Sequence, residues 1–129
     1  MPDRPPADSA KSINDHLERF CNMAPDCDLV VCADLNTRLP LRHLSDQALP
    51  REGLDRLTTQ AADAFMLVDE TGAEADTVIL FGSSDIQICT RSGEDKSDLL
   101  FATAYGPKDL VGLSDLAAET ARQISEANT

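Results

Sequence analysis

The chain has 129 residues, enough for one domain that removes roughly two-thirds of its unfolded surface from water without a metal or a disulfide. Its apolar fraction of 42% includes one Tyr, four Phe and no Trp, so the core must be built from Leu, Ile, Val and Ala. Eleven Lys and Arg against 23 Asp and Glu give a net charge of −12, a field that repels phosphate backbones and anionic membranes and argues against nucleic-acid binding.

No window approaches the run of about 18 apolar residues that spans a bilayer, and the opening MPDRPPADSAKS lacks the apolar segment of a signal peptide. The chain therefore reads as cytoplasmic, with reduced cysteines. Residues 1–10, with Pro2, Pro5 and Pro6, are expected to form a loose arm, residues 11–126 the domain, and residues 127–129 a short tail.

From Lys11 to Ala24, Ile13, Leu17, Phe20, Cys21 and Ala24 fall on one stripe of a helix, α1, with Ser9 or Ser12 as its cap and Pro25 after its end. Asp28 to Asp34 is apolar on both faces, Leu29, Val31 and Ala33 on one and Val30 and Cys32 on the other, which predicts a central strand, β1. After the turn Leu35-Asn36-Thr37-Arg38, the run Leu39 to His43 makes β2, and its Pro40 and Arg42 suit a protected sheet edge. Pro50 to Leu67 carries Leu54, Leu57, Ala61, Ala64 and Phe65 at helical spacing, with Pro50 at the first helical position; this is α2.

Asp76 to Arg91 reads as two strands, β3 and β4, joined by Gly82-Ser83-Ser84-Asp85, and a second polar turn leads to β5, Leu99 to Tyr105. Gly106 and Pro107 end the sheet. Asp109 then caps α3, whose stripe is Leu113, Leu116, Ala117, Ala121 and Ile124. The order α-β-β-α-β-β-β-α predicts an α+β fold, one five-stranded antiparallel sheet with helices on both faces.

Candidate chemistry is sparse. Cys21, Cys27 and Cys32 crowd one stretch, but their spacings with His16 match no zinc motif, and each reads as a small apolar packing residue. His16 and His43 read as surface residues, and Gly82-Ser83-Ser84 as a hairpin turn because it joins strand to strand without a G-x-S-x-G pattern. No phosphate-binding glycine motif occurs, and the many carboxylates single out no acid or base. No catalytic residue, cofactor or metal ligand is assigned.

What stands out is β3. Val78-Ile79-Leu80-Phe81 is apolar on both faces, yet as the first strand of a meander it has a neighbour on one side only. A flat apolar edge is a pairing template unless something covers it. The expected cover is a second copy related by a two-fold axis, with Leu54, Leu57, Val78, Ile79, Leu80 and Phe81 at the interface. The other readings are an interior β3 or one capped by residues 68–76.

The pattern DLVVCADLNTRLPLRHLS, then α2, then DTVILFGSSDIQICTRSGEDKSDLLFATAYGP and α3 resembles the Roadblock/LC7 (dynein light chain, MglB-like) domain family over residues 11–126. Leu39-Pro40-Leu41 matches the family's short apolar-Pro-apolar strand, whereas Asn36, Thr37 and Arg38 stand where a Gly is common. The resemblance implies α2 on one face of the sheet and the terminal helices on the other, and homo- or heterodimers joined through α2 and β3. It implies a non-enzymatic regulator or scaffold for Ras-like small GTPases or for signalling and motor complexes. The alternative is a profilin-like or PAS-like small-molecule sensor with a pocket between sheet and helix.

Overall fold

The structure, a computed structural model, describes residues 6–46 and 48–127. Its elements are α1 (Pro6–Met23), β1 (Cys27–Asp34), β2 (Leu39–Ser45), α2 (Arg51–Glu70), β3 (Thr77–Phe81), β4 (Ile86–Ser92), β5 (Asp98–Ala104) and α3 (Leu110–Ala127). The α+β order and the five-stranded antiparallel sheet are those expected, with strands side by side as β2-β1-β5-β4-β3. Both β2 and β3 are edges, so β3 is not an interior strand.

Several boundaries differ from the sequence reading. Helix α1 begins at Pro6, so residues 6–10 are helical rather than part of a loose arm, and Ser9 and Ser12 lie inside the helix instead of capping it. A proline at a helix start costs no hydrogen bond, because the first N–H groups have no partner there. Residues 1–5 of the expected arm and 128–129 of the expected tail lie outside the described residues. Pro50 is the cap of α2, with extended backbone (φ −60°, ψ 149°), rather than its first helical residue. Cys27 opens β1 rather than lying in the connection before it, and β2 runs two residues past His43 to Ser45.

The alternation along β1 builds two cores. Val30 and Cys32 join Leu17 and Phe20 of α1 and Leu113, Ala117 and Ile124 of α3 on one face. Leu29, Val31 and Ala33 join Leu54, Ala61 and Phe65 of α2 on the other. β4 and β5 alternate the same way, Ile88 and Leu100 toward α1 and α3, Cys89 and Phe101 toward α2. Fully buried side chains of this size stabilise by about 1.5–3 kcal/mol each, which is why a strand apolar on both faces settles in the middle.

The path of the chain explains α2. β2 ends at one edge of the sheet and β3 begins at the other, so the segment between them must cross a face. Placed there, α2 has one flank toward β2 and the other toward β3.

Candidate interaction surface at the β3 edge

β3 pairs antiparallel with β4 from Thr77↔Thr90 to Phe81↔Ile86 and has no strand on its other side among the described residues. Val78 and Leu80 point under α2 and pack on its core, while Ile79 packs on the core of the opposite face. Phe81 is 74% exposed. Across from it on α2, Leu67 is 62% exposed, and a groove of about 450 Å³ is lined by Leu57, Ala64 and Leu67 of the helix and Leu80 and Phe81 of the strand.

Of the six interface residues expected from sequence, the structure brings Leu57, Leu80 and Phe81 together in this groove. It places Val78 and Ile79 on the two faces of the same strand. Leu54 is elsewhere: it is buried in the core and lines a cleft with Pro40, Leu41 and Leu49 beside β2. Leu54 and Leu57 are three residues apart, and their stripe straddles the helix axis, so the two face opposite edges of the sheet. Sequence reasoning passed over Leu67. The signal was present, since Leu57, Ala64 and Leu67 recur at helical spacing along one flank.

Polar groups fix this surface in place. Gln87 of β4 donates its side-chain N–H to the Leu57 carbonyl at 3.2 Å, tying the sheet to the middle of α2. At the far end Arg91 lies 4.7 Å above the Phe65 ring, donates to both carboxylate oxygens of Asp69 at 2.8 and 3.0 Å, and donates to the Ala75 carbonyl at 3.0 Å. The hydrogen bond from Arg91 holds the Asp69 carboxyl below its ordinary value. Lys96, with Arg91 adding to it, does the same for Asp76. The β3–β4 connection closes with the Gly82 N–H donating to the Asp85 carbonyl at 2.8 Å, so Gly82-Ser83-Ser84 is the expected hairpin turn.

The cysteines fall within the cores. Cys27 and Cys32 are buried and Cys21 half-buried on the α1/α3 side, and Cys89 is buried on the α2 side. Burial pushes the thiols up to about 12 for Cys27, about 11 for Cys32 and about 12 for Cys89, and raises Cys21 as well. At neutral pH all four are therefore thiols, the form that neither attacks nor ligates metal. Among the described residues no group of three or more His, Cys, Asp or Glu side chains is arranged to hold a metal ion. His16 is half-buried on α1 and His43 exposed on β2. No described helix is long and apolar enough to cross a membrane.

By sequence, no family model and no curated protein matches the chain. By structure, it is similar to solved Roadblock/LC7 folds. The Roadblock/LC7 domain from Streptomyces avermitilis superposes with a TM-score of 0.69 at 14% identity, over 82% of this chain and 88% of that one. The gliding protein MglB from Thermus thermophilus gives 0.70 at 19% identity, over 92% and 91%. MglC from Myxococcus xanthus gives 0.66 at 13% identity, over 89% and 98%. The fold of this chain is thus that of a Roadblock/LC7-like domain.

Proposed function

We propose that the chain is a non-enzymatic, dimeric protein-interaction module that regulates or scaffolds a Ras-like small GTPase or its signalling complex. The observation that carries this reading is the open β3 edge, where exposed Phe81 and Leu67 flank an apolar groove. Two copies joined there would continue one sheet into the next and cover side chains that water otherwise meets. The fold shared with MglB and with a Roadblock/LC7 domain fits this class of protein. The two sheet–helix interfaces are filled by Phe65, Phe101 and Leu99 on one side and Phe20, Leu17 and Ile124 on the other, which favours an interaction module over a ligand sensor.

Size-exclusion chromatography with light scattering at micromolar concentration tests the dimer. The wild-type chain runs at twice its formula mass and Phe81→Asp at its formula mass; a monomeric wild type overturns the proposal. Titration of the dimer with a panel of Ras-like GTPases, each loaded with GDP or a non-hydrolysable GTP analogue, then tests the partner class.

A further inference from the structure

At the edge opposite β3, charge runs against the rest of the chain. β2 carries Arg42 and His43 and no carboxylate, in a protein of net charge −12. The ion pairs among the described residues engage Arg38, Arg91, Lys96 and Arg122; Arg42 on β2 and Arg51 beside it are, like Arg19, Arg56 and Lys108, outside them. Between β2 and the start of α2 lies a cleft of about 310 Å³, floored by Pro40, Leu41, Leu49 and Leu54 and rimmed by His43 and Arg51. Four other clefts among the described residues each include at least one Asp or Glu; this one includes none. Leu41, on its floor, is 53% exposed.

The backbone there can accept another strand. The Asp46 N–H donates to the Asp28 carbonyl at 3.0 Å, and Leu44 pairs with Val30, so both are hydrogen-bonded pairs of the ladder. Antiparallel alternation then turns the N–H and C=O of His43 toward the open side. Pro40, which has no N–H, and the bulge at Leu41, which has no partner on β1 between Ala33↔Pro40 and Cys32↔Arg42, interrupt the first part of the edge and leave its later part, at His43, open. The His43 side chain lies on the α2 face, opposite Val31, and that of Arg42 on the α1/α3 face, opposite Cys32.

We infer that β2 is a docking edge for an extended, acidic segment of a partner protein. The segment adds as a further strand beside His43, seats an apolar side chain on Leu41, Leu49 and Leu54, and sets carboxylates against Arg51 on one face and Arg42 on the other. Charge selects this occupant: a basic segment is repelled by Arg42 and Arg51 at the rim, and a second β2, which has no carboxylate, brings no counter-charge. The inference does not depend on dimerisation, which concerns the other edge.

Selection of a random-peptide phage library on the purified protein, followed by fluorescence anisotropy of the enriched peptides, tests it. Enriched peptides alternate apolar residues with Asp or Glu and perturb the His43 amide in nitrogen-15 NMR spectra. Their affinity falls about tenfold or more in Arg42→Glu and Arg51→Glu and is unchanged in Lys108→Glu. All three side chains are exposed, so the variants fold; Leu41→Asn, also exposed, removes the apolar seat and weakens binding without changing charge. Failure to enrich peptides, enrichment of basic ones, or binding indifferent to both arginines overturns the inference.

Discussion

Arg38 sits in the β1–β2 turn with φ +60°, a left-handed conformation that is strained for any residue with a Cβ. The sequence placed Asn36, Thr37 and Arg38 where a Gly is common, and the Asp34 side chain settles which of them turns left-handed. Its oxygens accept from the Asn36 N–H at 3.2 Å and the Thr37 hydroxyl at 2.9 Å, and the left-handed step falls two residues later. Arg38 recovers part of the cost through an ion pair with Asp63 at 2.6 Å, worth at most about 1 kcal/mol at this exposure. Arg38→Gly and Arg38→Ala both lose the ion pair, so their difference isolates the backbone. Urea denaturation is expected to find the glycine variant more stable by about 1 kcal/mol.

Arg91 acts at the same scale but in a drier place, its side chain only 10% exposed. The Asp69 and Asp76 carboxyls it meets have folded values below the ordinary 3.8, so the stability they lend is present above that pH and lost as pH falls below it. Arg91→Met removes the Phe65 contact, worth about 1 kcal/mol or more, and is expected to flatten the acid limb of stability against pH. An unchanged acid limb in denaturant titrations below pH 4 would contradict this.

Among the elements, α3 shows a local device that sequence did reveal. Asp109 caps it, accepting from the Gly112 N–H at 2.9 Å. A side chain at position 112 would run into that carboxylate, so the glycine and the cap belong together. Asp109→Ala is expected to cost about 1 kcal/mol. Gly112→Ala gains about 1 kcal/mol in helix propensity and displaces a cap of similar value, so its thermal midpoint should barely move. The phase of α2 was legible only in part. Helical spacing announces an apolar stripe but not which neighbour each side of it meets, so Leu54 and Leu57 looked equivalent until the crossing from β2 to β3 separated them.

For the molecule as a whole, the buried thiols set an alkaline limit. Their folded values of about 11 to 12 lie above the ordinary 9.0, so the stability they represent is complete below pH 9 and is lost as pH rises toward 12. Urea midpoints should fall steadily above pH 9, and less steeply in Cys89→Ala. At pH 8 a thiol reagent should modify half-buried Cys21 first and the other three only after unfolding. By itself the sequence determined the elements, the two-faced β1, the apolar β3 and the absence of a recognisable catalytic motif, because these follow from periodicity and local turn chemistry, while the strand order decided that β3 is an edge. Only the tertiary structure decided that His43 and Arg51 rim a cleft without a carboxylate beside β2, and that Leu67 joins Phe81 across a groove. Those relations arise where α2 crosses the sheet, and a crossing brings together residues whose spacing along the chain carries no period.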